Sequence, residues 1–288
     1  MSPRDMVLAA LTSVVWGLGF VAGKLALDSF SPAQLTAVRF PIACLPVALV
    51  PRPRLPWLTL VLIGSTLFTG QFLLMFFAFK RGLPPGLASV TQQMQAFFTV
   101  LLSAVFLGDV PGRRPTIGMA IAFAGLLLIG LTVGADLAPV GLALGLGAAL
   151  SWAVGNVLVK RTTGVPMLSL VVWCSLVPPL PALLLSGAID GDRGLGEAML
   201  GASWLGLGAA VYLGVAATVL AYAAWGHLLR RYPAGVVAPF ALLAPCTGVV
   251  ASAVVFGEGF SPLRVAGMAL ILAGLAVVVW GPEGRTPR

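Results

Sequence analysis

Apolar runs of roughly twenty residues alternate along the chain with brief polar punctuation, the length that a membrane-spanning helix requires. Charged residues and Pro/Gly positions divide the sequence into ten such runs, over 5–27, 32–50, 57–80, 84–107, 114–132, 139–160, 166–187, 202–229, 233–256 and 261–281. The connections are short; the longest, Ala188 to Gly201, holds Asp190, Asp192, Arg193 and Glu197. This pattern predicts an all-α integral membrane protein of ten transmembrane helices. The first run leads into a second apolar run and not into a soluble domain, so it reads as a helix and not as a cleaved signal peptide.

Composition sharpens that reading. Of 288 residues, 59% are hydrophobic and 9% charged, whereas a soluble domain is about one quarter charged. A soluble enzyme, a disordered chain and a secreted disulfide scaffold are excluded. The three cysteines, Cys44, Cys174 and Cys246, all lie within apolar runs, an odd number that argues against a disulfide framework. The net charge of +8 would suggest a nucleic-acid partner in a soluble protein. Here the basic residues stand in small groups between apolar runs, so they report orientation, with lipid and not nucleic acid as the surroundings.

With the N-terminus in the cytoplasm, the inner ends carry Arg4, Arg52, Arg54, Arg113, Arg114, Lys160, Arg161, Arg230, Arg231, Arg285 and Arg288. The outer ends carry only Lys24, Lys80, Arg81, Arg193 and Arg264. Acids run the other way, with Asp28, Asp136, Asp190, Asp192, Glu197 and Glu258 outside. Both termini are therefore expected in the cytoplasm.

The chain repeats itself. Trp16, Gly19 and Lys24 recur as Trp152, Gly155 and Lys160 at an offset of 136. From Pro84 the offset is 149: Pro84, Gly86, Ser103, Gly108, Gly118 and Gly125 recur as Pro233, Gly235, Ser252, Gly257, Gly267 and Gly274, with Asp109 recurring as Glu258. The change of frame fits the longer loop at 188–201. Two five-helix repeats are expected, over 1–136 and 137–288. Five is odd, so the second repeat enters the membrane from the opposite side. Inverted repeats are a mark of alternating-access carriers, whose substrate sits at the repeat interface near the bilayer midplane.

The same residues carry a family resemblance. Trp16-Gly17, Lys24, Ser31-Pro32 and Arg39, followed by Leu107-Gly108-Asp109 and Phe256-Gly257-Glu258, resemble the EamA-type branch of the drug/metabolite transporter superfamily over essentially the whole chain. The overall sequence is similar to YddG-type exporters of aromatic and other neutral amino acids. The resemblance implies a multi-pass secondary transporter of the bacterial inner (cytoplasmic) membrane that exports neutral or aromatic amino acids, or alternatively another small metabolite or a drug; a channel is the further alternative that the chain leaves open. The family usually has a proline midway along helices 4 and 9. Helix 9 keeps it as Pro245, but helix 4 has Ala96 there, beside Gln92, Gln93 and Gln95.

Polar groups within an apolar span usually face a bundle interior or a cavity. In helix 4, Thr91, Gln92, Gln95, Thr99 and Ser103 share one face, with Gln93 pointing elsewhere. Amides and hydroxyls can bind both ends of a zwitterion, or can join helices to one another. Trp16 and Phe20 share a face of helix 1, as Trp152 and Asn156 do in helix 6. These tryptophans lie too deep for an interfacial belt and serve either as packing wedges or as cavity walls. Trp57, Trp204 and Trp280 fit the belt. Gln71 in helix 3 and Tyr222 in helix 8 complete the candidate substrate-binding set of Trp16, Phe20, Gln71, Gln92, Gln95, Trp152, Asn156 and Tyr222. Tyr212 and Thr218 are further polar positions of helix 8.

Lys24 either snorkels to the headgroups or pairs with Asp28. Arg39 either bonds backbone carbonyls at a helix end or binds a substrate carboxylate. Pro239 and Pro245 remove helix hydrogen bonds and are candidate hinges. No acidic residue falls in a predicted membrane interior, which disfavours carboxylate-based proton coupling. There is no phosphate-binding loop, no metal-ligand set and no catalytic constellation, so neither a cofactor nor an enzymatic activity is expected. The partners expected are a small-molecule substrate and the lipid bilayer. A C-terminal fusion should therefore be fluorescent with a green fluorescent protein and inactive with alkaline phosphatase; the reverse result would invert the orientation.

Overall fold

A computed structural model describes residues 1–108, 111–132, 137–162, 164–191, 194–232 and 234–279. Asp109, Asp136, Asp192, Arg193, Pro233, Trp280, Arg285 and Arg288, which enter the repeat, the charge bias or the aromatic belt, lie outside the described residues. Among the described residues the protein is all-α, with no β-strand. Eight helices are long and apolar enough to cross a membrane: α1 (Pro3–Ala26), α3 (Trp57–Lys80), α4 (Pro85–Leu107), α5 (Arg113–Gly130), α6 (Pro139–Lys160), α7 (Met167–Ile189), α8 (Trp204–Arg231) and α9 (Ala238–Phe256). Two further helices fall in the remaining predicted runs, α2 (Pro32–Cys44) and α10 (Pro262–Val279).

Local chemistry explains where the helices start and stop. Ser31-Pro32 opens α2 as a capping box: Ser31 Oγ accepts from Gln34 N at 3.1 Å, and Gln34 Oε1 accepts from Ser31 N at 3.0 Å. Pro32 occupies the first turn, where its missing N–H costs nothing. Helix α2 ends before the predicted 50 because Pro46 cannot donate to the preceding turn, and the chain tightens into a 3₁₀ turn at Leu45–Ala48. Helix α7 is interrupted after Cys174 by Pro178, Pro179 and Pro181. The loop at 188–201 holds a short helix, Leu195–Leu200, that the hydropathy pattern does not reveal. Gly108 and Gly257 end α4 and α9 with φ of +71° and +65°, a left-handed conformation that side chains with a Cβ resist. Glu258, just beyond α9, accepts from Gly86 N at 3.2 Å and so caps the start of α4.

The bundle is apolar outside and carries its polar groups within. Leu49, Leu200, Val254 and Trp204 (90% exposed) face outward, while Ser13, Thr91, Gln92 (1% exposed) and Arg39 (3% exposed) are buried. Without a hydrophobic drive between helices in lipid, association depends on close packing at small residues. A Cβ on Gly118 of α5 would lie 2.6 Å from Gly274 O of α10, and one on Gly125 would lie 2.5 Å from Gly267 O. Gly118 matches Gly267, and Gly125 matches Gly274, in the sequence repeat. Each glycine therefore faces the counterpart of the other, and the register runs antiparallel. Gly17 of α1 packs on Ala244 and Thr247 of α9, and Gly248 of α9 on Ser89 of α4. The small residues of α8 do the same work: Gly214 lies against Ile42 and the Arg39 carbonyl of α2, and Gly206 against Ser29.

Two spanning helices contain π-helical segments, Ser65–Gly70 in α3 and Tyr212–Leu220 in α8. They coincide at the offset of 149. A leucine at Gly125 or Gly274 should overpack the α5–α10 seam and cost about 1–3 kcal/mol. Thermal melting of the purified variants in detergent checks this; an unchanged melting temperature would remove the seam as a stabilising contact.

Candidate functional site

A cavity of about 350 Å³ lies within the bundle. All eight candidate substrate-binding residues line it: Trp16 and Phe20 from α1, Gln71 from α3, Gln92 and Gln95 from α4, Trp152 and Asn156 from α6, and Tyr222 from α8. Pairs spaced i, i+4 deliver two side chains from one helix face, as Trp16 with Phe20 and Trp152 with Asn156. The candidate hinges stand apart from the lining. Pro239 lies in a 3₁₀ segment, Ala238–Leu242, at the start of α9, and Pro245 in the first turn of the α-helix that follows. Their neighbours Ala241 and Ala244 do line the cavity.

The cavity wall is made where helices depart from α-geometry. In α4 the helix breaks at Gln92–Gln93 although no proline is present; Gln95 N and Ala96 N donate three residues back, to Gln92 O and Gln93 O. The tightened turn rotates the downstream part of α4. Gln93, expected to point away, also lines the cavity, and its Nε2 donates to Ser89 O at 3.4 Å. In α8 the wide π-turns let side-chain donors reach the backbone: Trp16 Nε1 donates to Ala217 O at 3.0 Å, and Thr218 Oγ1 donates to Leu213 O at 2.7 Å. The Trp16 ring packs edge-on to Tyr222 with centroids 5.3 Å apart, and 5.1 Å from Trp225. Trp16 is thus both a wedge between α1 and α8 and part of the wall.

The polar groups divide into satisfied and unsatisfied ones. Asn156 Nδ2 donates to Gln95 Oε1 at 2.7 Å and to Thr99 Oγ1 at 3.2 Å, which ties α6 to α4. By contrast, both side-chain polar atoms of Gln92 and the Oε1 of Gln71 are buried without a hydrogen-bond partner. Buried amide groups are rarely left so, because each costs desolvation free energy. Tyr212 is directed elsewhere: its hydroxyl donates to Val15 O at 2.7 Å. Lys24 bonds Phe79 O at 3.3 Å, at the end of α3. His227 is exposed at the end of α8.

Arg39 departs most from expectation. It bonds no helix-end carbonyl. Its Nη2 donates to Thr218 Oγ1 at 2.9 Å, and its guanidinium lies 3.8 Å from the centroid of Phe72. It is the one charged residue in the cavity lining, which contains no Asp or Glu among the described residues. The sequence reading also passed over Phe72, Phe76 and Phe79 of α3, which line the cavity with Gln71. Their spacing of four and three residues was a readable signal, lost among the intervening Leu73, Leu74, Met75 and Phe77.

An apolar exterior, spanning helices and an internal polar and aromatic cavity define a multi-pass membrane transporter. The chain belongs to the EamA-like transporter family, whose pattern it matches over residues 4–131 and again over 139–280. It is similar to a "Probable amino-acid metabolite efflux pump" of Salmonella typhimurium strain LT2, with 38% identity covering 98% of this chain and 96% of that one. A protein of the same description from Escherichia coli strain K12 is 36% identical, covering 99% and 98%. A "Probable terminal-alkyne amino-acid exporter" of Streptantibioticus cattleyicolor is 28% identical, covering 96% and 93%. A solved crystal structure shares the fold, with a TM-score of 0.63 and 22% identity over 96% of this chain and 97% of that one.

Thr218→Val should remove the hydrogen bond that holds Arg39 and cost about 1–3 kcal/mol. Thr218→Ser should keep most of that stability. Equal melting temperatures for the two variants would show that the bond does not matter.

Proposed function

We propose that this protein exports neutral or aromatic amino acids, or close metabolites of them, across the bacterial inner membrane by alternating access. The observation that carries the reading is the cavity itself. The unpartnered Oε1 of Gln71 and the unpartnered amide of Gln92 line one cavity with Trp16, Phe20, Trp152 and Tyr222. Amides offer donors and acceptors without net charge, and so suit a zwitterion. Aromatic walls suit an apolar side chain. The names of the relatives in Salmonella, Escherichia and Streptantibioticus agree with an amino-acid type of cargo leaving the cell.

Two inverted five-helix repeats, ten transmembrane helices in all, are the architecture that suits this mechanism. The reciprocal packing of Gly118 on Gly274 and Gly125 on Gly267 supports it. Each glycine packs on the counterpart of the other in an antiparallel register, as a two-fold axis between repeats of opposite sense would require. The matched π-segments in α3 and α8 agree. Rocking of one repeat against the other needs compliant backbone, and Pro239, Pro245 and the Gln92–Gln93 break are where the helices yield. Both termini face the cytoplasm in this reading. With no carboxylate in the lining among the described residues, transport in this reading runs without carboxylate-based proton coupling, as facilitated diffusion or exchange.

Counterflow of labelled phenylalanine, threonine and methionine into liposomes holding the purified protein tests this. Uptake above that of empty liposomes, unchanged by a pH gradient, is expected. Replacing both Gln92 and Gln95 by Leu should lower uptake about tenfold or more, with the protein still folded. No uptake of any of the three by folded protein would move the cargo to another metabolite or a drug.

A further inference from the structure

Arg39 is a charge whose hydrogen-bonding capacity the protein leaves half unused. It sits on α2, 3% exposed, and lines the cavity. Its Nη2 is held by Thr218, and its planar face lies against Phe72 at 3.8 Å, with the Phe40 ring at 5.2 Å. Its Nε and Nη1 are buried and have no partner. No carboxylate lines the cavity with it among the described residues. An isolated buried charge is costly, and ionisable groups in a membrane interior normally pair with each other or with a ligand. A guanidinium holds its charge in proteins and presents a fork of donors that matches a carboxylate. Thr218 holds Nη2 and the two phenylalanines fix the guanidinium plane, so the open donors Nε and Nη1, which lie on either side of Nη2, await a partner in a set orientation.

The neighbouring vacancies have the complementary sign. Gln71 Oε1 and Gln92 Oε1 are unpartnered acceptors, and Gln92 Nε2 is an unpartnered donor. Three donor atoms and two acceptor atoms thus stand unsatisfied around one space. We infer that Arg39 is the carboxylate anchor of the transported molecule, and that a carboxylate is obligatory for it. The Gln71 and Gln92 carbonyls receive an ammonium where one is present. The polar end of the cargo then lies toward α2, α3 and the upper part of α4. The Gln95–Asn156 pair, already bonded to itself, serves to join α4 to α6. The lone positive charge also repels amines that lack a carboxylate, which sets the site against cationic drugs. The inference rests on the amino-acid reading only for the choice of probe.

The experiment uses the full-length protein purified in detergent. Thermal stabilisation is measured with four probes that share one aromatic ring: phenylalanine, phenylpyruvate, N-acetylphenylalanine and phenylalaninamide. The first three carry a carboxylate; the last carries only the amine. Stabilisation by carboxylate-bearing probes, with phenylalaninamide at least about tenfold weaker, is expected. Arg39→Gln should abolish the difference, while Arg39→Lys should retain part of it as a point charge without the fork. Stabilisation by phenylalaninamide equal to that by phenylalanine overturns the anchor, and this comparison needs no variant to fold. Failure of every carboxylate to stabilise the wild-type protein overturns it too. Binding of phenylpyruvate without phenylalanine counterflow would leave the anchor standing and remove the amino-acid cargo. Phenylalanine counterflow that Arg39→Gln does not alter would do the opposite.

Discussion

In a hydrocarbon medium a backbone N–H or C=O that leaves its helix partner finds no water to replace it. That constraint organises this protein. It forces the apolar runs into helices, and it makes each departure from α-geometry expensive unless something nearby repairs it. Apart from the 3₁₀ turn Leu45–Ala48 and the proline break after Cys174, which lie off the cavity wall, the departures are the turn at Gln92–Gln93, the π-segments Ser65–Gly70 and Tyr212–Leu220, and the 3₁₀ segment Ala238–Leu242. Each contains or adjoins a residue of the cavity wall: Gln92, Gln71, Ala217 and Ala241. Where a turn is widened, a side chain steps in, as Trp16 does at Ala217 O. At these four places the cavity wall and the irregular backbone coincide, because irregular backbone is tolerated only where protein or a polar space receives it.

The rest of the bundle holds those irregular segments in place by close approach. Glycine brings α1, α4 and α9 together around Gly17, Ser89 and Gly248, and it brings α5 and α10 together around two reciprocal glycine pairs. The contacts are short because nothing but backbone separates the helices. Contacts of this kind specify position strongly, since a single methyl group cannot be accommodated without displacement. The result is a closely packed frame around the irregular inner segments.

Much of this was readable in the sequence. Hydropathy located the helices, because the cost of leaving water dominates every local preference in a chain this apolar. The offset of 149 paired Gly118 with Gly267 and Gly125 with Gly274 before any contact was known. The polar positions within apolar runs found the cavity residues, Trp16, Gln71, Gln92, Asn156 and Tyr222 among them, because lipid excludes such groups and leaves them few other places. Ser31-Pro32 and the two Gly-acid helix ends were equally visible as local chemistry.

Other features depended on neighbours distant in the chain. The end of α2 near Cys44 and the turn at Gln92–Gln93 are local in effect, yet which side chains of such a turn meet the cavity depends on the helices packed around it, and Gln93 meets it. The fate of Arg39 was not local at all. Whether a buried guanidinium bonds a carbonyl, an acid or a ligand is settled by what α3 and α8 bring to it, and these brought a hydroxyl and an aromatic ring and no carboxylate. Periodicity and burial propensity are properties of a segment. Hydrogen-bond satisfaction is a property of the assembled space, and here it distinguishes the groups that hold the bundle together from those left open to a ligand.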